Sequence, residues 1–417
     1  MWKEIFKEAC RAVRRSPQRS VLTMLGITWG IAAVALLASY GSGFRNVLVA
    51  AFERFGQSVV ICWPGQTSEQ AGGERAGRPI RFEQADVDAI RNEVPLVKYA
   101  CLETVRWMPV TYRERLVNIP VRGVCPEYGQ MRNEVPNEGR WITAEDVIER
   151  RRVIFLGFEV HKKLFQGRPA AGETVAIRGM RFTVIGTMDK KIQMSAYFSN
   201  DDNSSWIPYS TAGDLWNNRY GSVLVFETAV PHLERQTIQQ ARAVIAKRQR
   251  FSPTDERAFR AFGRQQGRPI IDGITIGLQV LLLFIGALTL GIGGAGVVNI
   301  MLVSVDERVR EIGLRRALGA KKWHIQAQFL SEALVITLMA GCLGMILTYL
   351  VAASIGPIPL LGPLYEDTTG RADIHLVVSL RTLAISAGAL LVVGVLSGLV
   401  PAMRAARLDP AHALRWE

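Results

Sequence analysis

What the chain lacks narrows the reading first. It contains no G-x-x-x-x-G-K-S/T, and not even a Gly-Lys pair. It therefore has no backbone cradle and lysine with which a P-loop holds nucleotide phosphates, and ATP-driven work has to use another polypeptide. Histidine is scarce: His161 and His232 each stand without a Cys or second His at metal-ligand spacing, and read as isolated surface residues. Ser204 and Ser205 lie in a polar stretch with no nucleophile-elbow pattern. The adjacent carboxylates Asp201 and Asp202 read as a solvated turn, not an acid/base pair. No catalytic residue, no metal site and no cofactor held by this chain are expected.

Charge is missing from four stretches altogether: residues 21–44, 273–305, 333–365 and 382–403. Each exceeds the roughly 20 apolar residues that cross a hydrocarbon core of about 30 Å. A soluble fold would have to bury all four in one core, whereas buried helices of about 10–14 residues are the norm. The first stretch outruns a signal-peptide h-region and begins well inside the chain, so a retained helix is expected there. The expected fold class is a membrane protein with four transmembrane α-helices and a large α+β extracytoplasmic domain. In order, the expected segments are 1–19 (cytoplasmic or interfacial amphipathic helix), 20–44 (first span), 45–271 (outer domain) and 272–303 (second span). There follow 304–326 (cytoplasmic loop), 327–355 (third span), 356–381 (short outer loop), 382–403 (fourth span) and 404–417 (cytoplasmic tail).

Net charge is +13, but its placement points to a membrane and not to nucleic acid. Lys3, Lys7, Arg11, Arg14, Arg15 and Arg19 crowd the first 19 residues, and Arg308, Arg310, Arg315, Arg316, Lys321 and Lys322 crowd 304–326. The connection 356–375 carries only Arg371, against Glu366, Asp367 and Asp373. Positive charge retained inside places both termini and the 304–326 loop in the cytoplasm, and 45–271 outside. Within 2–15, Trp2, Ile5, Phe6, Ala9 and Val13 share one helical face opposite the cations. This is the pattern of a helix lying on anionic headgroups of the inner leaflet, or of a simple extension of the first span.

In the outer segment, residues 82–94 and 234–247 have helical spacing. Residues 104–110, 116–124, 174–177 and 181–185 alternate as strands, and 65–79 read as a flexible loop. Cys62, Cys101 and Cys125 would share the oxidising side; one disulfide with one thiol left over, and three unpaired thiols, are both open. Gly291, Gly293 and Gly296 satisfy G-x-G-x-x-G, but inside an apolar run with no strand before it. There small residues serve close helix packing, as do the pairs Gly26/Gly30, Gly273/Gly277 and Gly394/Gly398. Homodimerisation through such faces is a further extension of that reading. The spans hold almost no ionisable group for coupling-ion transport; Glu332 lies close to the cytoplasmic start of its span.

The 305–329 segment, VDERVREIGLRRALGAKKWHIQAQF, is the strongest local pattern. Its acids lie early and its cations later, suiting a helix macrodipole, and Gly319 is a natural stop. Leu314, Leu318 and Trp323 are available for a hydrophobic groove. On pattern alone the element is equally a solvated connector that anchors orientation. Here the chain resembles the MacB/FtsX-type ABC transporter permeases, whose pattern runs N-I-M-x-x-S-V-x-E-R-x-R-E-I-G-x-R-K/R-A-x-G-A. Asn299, Ile300, Met301, Ser304, Val305, Glu307, Arg308, Arg310, Glu311, Ile312, Gly313, Arg315, Arg316, Ala317, Gly319 and Ala320 fit it. Pro401-Ala402, Arg404 through Pro410 and Ala413-Leu414-Arg415 resemble the family's closing segment, and Arg14 through Pro17 its entry to the first span. Leu156-Gly157, Leu164-Phe165, Gly172 and Phe182 through Gly186 resemble its periplasmic core domain.

The resemblance implies a permease that docks on a cytosolic ABC ATPase dimer, which binds the ATP and Mg. The loop, with Ala320 and Trp323, would act as the coupling helix, and motion would pass to the outer domain (mechanotransmission) to drive export or extraction. It further implies a bacterial inner membrane, a periplasmic outer domain and a homodimer or paralogous heterodimer, with a periplasmic adaptor and outer-membrane exit duct as further partners. Beginning at a membrane helix, the chain resembles the members whose ATPase is a separate subunit. A signalling member that activates an envelope enzyme, and a membrane-anchored sensor or scaffold, are the alternatives.

Overall fold

A computed structural model describes residues 17–53, 56, 58–193, 196–365, 370 and 372–409. The amphipathic segment 2–15, with Trp2, Ile5, Phe6, Ala9 and Val13, lies outside the described residues, as do 410–417. Helix α1 (Pro17–Glu53) is followed by β1 (Val59–Pro64), α2 (Gln84–Glu93), β2 (Val97–Tyr112), β3 (Arg115–Val124) and α3 (Glu127–Arg132). Next come β4 (Pro136–Gly139), α4 (Ala144–Ile148), β5 (Val153–Leu156), α5 (Phe158–Phe165), β6 (Thr174–Ile177), β7 (Met180–Met188) and β8 (Ser205–Pro208). Then α6 (Tyr209–Leu215), β9 (Val223–Thr228), α7 (Glu234–Gln249) and β10 (Phe259–Gly263) lead to α8 (Arg264–Glu307), α9 (Val309–Ala317), α10 (Lys322–Ile355) and α11 (Leu380–Arg407). The chain divides into two compact units: 1–47 with 273–417, and the inserted domain Leu48–Asp272.

Among the described residues, four helices are long and apolar enough to cross a membrane: Met24–Phe52, Gln265–Glu307, Lys322–Ile355 and Leu380–Arg407. They outrun the uncharged stretches because a helix does not stop where charge begins. At 1.5 Å per residue, the 44 residues of α8 reach roughly 65 Å, about twice a hydrocarbon core. Packing between them uses small residues. A Cβ added at Gly26 would lie 3.6 Å from the Gly293 Cα, and one on Gly293 would fall 2.9 Å from the Gly26 carbonyl oxygen, so α1 and α8 touch backbone to backbone there. Gly398 has the same role toward Ala333 and Leu330 of α10, and Gly394 toward Thr337. Gly273 and Gly277 do not: a side chain at either would meet nothing within 4 Å, so that pair serves no close approach within this chain. The short connection before α11 is tied back to α1, where the Ser39 hydroxyl donates to the Val377 carbonyl at 2.7 Å.

The inserted domain is a mixed sheet with interspersed helices. Strands run in the order β10-β1-β9-β2 in its first part, with α2 and α7 on one face. β1 shows why alternation failed to announce it. Val60 and Cys62 enter the core under those helices, while Val59 and Ile61 enter a second core with Tyr128, Trp206 and Val225, so both faces are buried and the run is simply apolar. β2 is long enough to serve two structures. Its later half pairs β3, then β8, β5, β7 and β6 follow in turn, and β6 returns to β2 through Val110–Ile177. This closes a ring of strands without free edges. Met108, Val110, Val121, Ile154 and Val184 fill it with α5's Val160 and Leu164. Residues 65–79, expected as a flexible loop, are instead hydrogen-bonded: Thr67 N–H donates to Arg78 O at 3.0 Å, and Ser68 N–H to Asp255 Oδ2 at 2.6 Å.

Candidate coupling element

The 304–326 segment forms a helical elbow. α8 ends at Glu307, Arg308 breaks it with φ −112°, and α9 restarts at Val309. Val305, Val309 and Ile312, spaced i, i+4 and i+7, turn inward; Val305 and Ile312 join Ile325, Phe329, Ala402 and Ala405. Gly313 is buried on the same side. The helix closes with paired bonds of a Schellman turn, Gly319 N–H to Arg316 O at 3.1 Å and Ala320 N–H to Arg315 O at 3.0 Å. Gly319 occupies the left-handed position of that turn, φ 97°, where a Cβ would be strained.

Three of the loop's six cations, Arg308, Arg315 and Arg316, are engaged with this unit's own groups, while Arg310, Lys321 and Lys322 are exposed. Arg308 reaches Glu332 at 3.3 Å, giving that membrane-end carboxylate its partner. Arg315 bridges Glu311 at 2.6 Å and Gln328 at 2.7 Å. Arg316 donates to the carbonyls of Ala406 at 3.2 Å and Leu408 at 2.6 Å, where α11 ends and its last carbonyls lack helical partners. Arg404 pairs with Asp306 at 3.3 Å. Exposed pairs such as Arg315–Glu311 are each worth about 0–1 kcal/mol, so together they orient the elbow more than they stabilise it. Glu307 and Arg310 are exposed, and Ala320 is half-buried.

What faces outward is apolar. Leu314 is 53 % exposed, Leu318 81 % and Trp323 59 %. Arg310 and Leu314 lie at i and i+4 on the exposed side of α9, and Leu318 follows as its C-cap. Just beyond the turn the Trp323 and His324 ring centroids are 3.9 Å apart, with the rings tilted by 50°. The element thus presents three large apolar side chains on its surface.

Sequence reasoning missed a second constellation, inside the inserted domain. Asp201 and Asp202, expected as a solvated turn, are buried, and so are Ser204 and Ser205. Asp201 binds Arg132 at 2.8 Å and Lys191 at 2.8 Å, and Arg122 stands 3.5 Å away. Lys191 also reaches Glu134 at 3.1 Å, Arg122 reaches Glu103 at 3.4 Å, and Tyr197 donates to Glu103. Burial alone would raise the Asp201 pKa, but Arg132, Lys191 and Arg122 outweigh it and hold the carboxyl far below its usual range. Burial, reinforced by the Asp201 charge, pushes Glu134 up to about 8. Burial likewise pushes Asp202 up to about 7, against the Lys191 N–H bond. Arg122, Arg132 and Lys191 thus face the carboxylates of Asp201, Glu103, Glu134 and Asp202, of which only Asp201 is lowered. These partners are scattered from 103 to 202, and nothing in their spacing reveals the cluster. It ties Lys191 and Asp201 to β2, β3 and α3 among side chains that are nine-tenths buried or more, and so braces that part of the domain.

Cys101 and Cys125 form a disulfide, while Cys62 is a free, buried thiol. His161 is not an idle surface residue: its ring Nε2 hydrogen-bonds the Arg168 carbonyl at 2.8 Å. Among the described residues no group of three or more His, Cys, Asp or Glu could hold a metal ion.

Comparison with known proteins agrees with the fold. Residues 20–247 match the MacB-like periplasmic core domain, and residues 283–410 the FtsX-like permease C-terminal domain. The "Macrolide export ATP-binding/permease protein MacB" of Bdellovibrio bacteriovorus is 31% identical over 405 residues, 96% of this chain and 59% of that protein. The protein of the same name from Hahella chejuensis is 31% identical over 420 residues, 100% of this chain and 60% of that protein. The chain thus spans about three-fifths of the length of these relatives. Among solved structures, the periplasmic region of MacB from Actinobacillus actinomycetemcomitans is similar over 53% of this chain and 95% of that one, at 15% identity and a TM-score of 0.41.

Proposed function

Since this chain belongs to the MacB/FtsX-type family of ABC transporter permeases, we propose that it converts ATP hydrolysis on a cytosolic ABC ATPase into movement of its inserted domain. The observation that carries this reading is the outward apolar triad Leu314, Leu318 and Trp323 on an elbow that Arg308, Arg315 and Arg316 tie to their own unit. The ATPase would bind the ATP and Mg; the relatives are named for ATP binding, and these 417 residues contain no P-loop. Binding energy at the elbow would shift α8 and α10 between two packed arrangements, and the inserted domain would act on cargo for export or extraction. No solute needs to thread helices that carry almost no ionisable group.

On the same reading the protein sits in a bacterial inner membrane with both termini cytoplasmic and the inserted domain periplasmic. It pairs with a second permease copy or a paralogue, and works with a periplasmic adaptor and an outer-membrane duct. Two experiments test the proposal. The full chain should retain an ABC ATPase through purification; loss of the elbow's apolar triad with unchanged retention defeats it. A cysteine replacing exposed Arg181 should react with an impermeant reagent applied from outside, and one replacing Lys322 should not; the reverse labelling overturns the orientation.

A further inference from the structure

The inserted domain carries a polar cleft of about 420 Å³ between the 65–79 loop, the start of α2 and the end of α7. Three carboxylates line it, and each already faces an arginine. Asp86 accepts from Arg248 Nε at 3.0 Å and Gln249 Nε2 at 2.8 Å, besides the Glu83 N–H at 2.9 Å. Glu83 faces Arg219 at 3.5 Å, and Glu74 faces Arg78 at 4.0 Å. Two lining guanidiniums are left over, those of Arg81 and Arg250, which form no ion pair among the described residues. Both are exposed to solvent, and guanidiniums that no neighbouring acid neutralises, gathered at one concave surface, raise the local positive potential that attracts anions.

The walls are held in place without that anion. Gln249 clamps the rim by donating to the Arg81 carbonyl at 2.9 Å, and Arg78 donates to the Gln249 carbonyl. Gly72 lies so close to Arg250 that a Cβ there would sit 2.9 Å from the arginine's own Cβ, which fixes the loop against the helix end. The Tyr220 ring lies 5.0 Å from the Arg81 guanidinium and 5.3 Å from that of Arg219, and cation–ring attraction of this kind limits where the forks can point. Planar guanidinium forks match the paired oxygens of phosphates and carboxylates. The three wall carboxylates disfavour a long polyanion that would have to pass them.

We propose that this cleft binds a small oxyanion ligand of two or more negative charges, gripped by Arg81 and Arg250 beside Tyr220. The inference stands independently of the coupling element. The full chain in detergent would be titrated calorimetrically with inorganic pyrophosphate, at ionic strength held constant with potassium chloride. Saturable binding is expected, weakened roughly tenfold for each of Arg81→Ala and Arg250→Ala, as loss of a charge-assisted hydrogen bond implies. Arg152→Ala, at another exposed arginine, should bind as the parent does. Arg81→Lys keeps the charge and loses the fork, and should fall between. Unsaturable binding, equal binding by the Arg81→Ala and Arg250→Ala variants, or equal weakening by Arg152→Ala each overturns the proposal. Repeating the titration in phosphatidylcholine nanodiscs with and without phosphatidic acid identifies the source: displacement by the acidic lipid marks a headgroup, and its absence a soluble anion.

Discussion

Replacing Leu318 by serine tests the coupling element more cleanly than any change to its arginines. The side chain is 81 % exposed, so the substitution should alter folding by no more than about 0.5 kcal/mol. In a partner's groove the same side chain would leave water. Full burial of a leucine is worth about 1.5–3 kcal/mol, and four-fifths of that, roughly 1.2–2.4 kcal/mol, corresponds to about eight- to sixtyfold weaker binding. Affinity for the co-purifying ABC ATPase would be measured by surface-immobilised titration of the detergent-solubilised chain, and unfolding by denaturant in parallel. The companion variant, Ile312→Ala, removes a side chain that is buried at 3 % exposure. It should instead cost about 2–5 kcal/mol of stability. Reversing charge at Arg315 or Arg316 is less informative, because those residues brace Gln328 and the end of α11, and their loss disturbs the elbow itself. Parent-like affinity of a normally folded Leu318→Ser variant would refute the docking role.

Arg308→Ala removes an ion-pair partner of Glu332, which is largely buried, and should destabilise the helical unit by about 1–3 kcal/mol. Adding Glu332→Gln should recover part of that loss, and an additive double variant argues against the pair. The inserted domain should lose stability as pH rises from about 4.5 to about 8, because Glu134, raised from 4.5 to about 8, keeps a proton that the unfolded chain releases. Urea midpoints at pH 6 and 8.5 read the effect. Glu134→Gln should make the decline shallower, leaving the part that Asp202, raised to about 7, contributes with the same sign, and stability rising over this range contradicts the assignment. Converting both Cys101 and Cys125 to alanine opens a loop of 24 residues and should cost about 2–4 kcal/mol. Denaturant unfolding under non-reducing conditions measures it, and an unchanged midpoint shows that the bond adds nothing to stability.

The spans were legible from residue types alone because a bilayer imposes a one-dimensional demand: enough consecutive apolar residues to match its thickness. The turn at Gly319 was legible for a similar reason, since a helix stop is decided by a few neighbouring residues. The strands around Leu116 and Val184 were readable where one face is buried and the other wet. β1 was not, because both of its faces are buried and alternation vanishes.

What only tertiary structure decided are the relations between residues distant along the chain. Closure of the strand ring depends on β6 meeting β2, and the buried brace on Glu103, Arg132, Lys191 and Asp201 meeting in one place. Sequence reading placed Asp201 in water; folding placed three cations around it, and that changed a solvated turn into a strut. The same holds for the elbow. Composition announced a basic loop with some leucines, but only packing showed that Arg308, Arg315 and Arg316 turn back onto the protein while Leu314, Leu318 and Trp323 remain outside. Local chemistry is set by neighbours in the chain, whereas burial and charge pairing are set by neighbours in space.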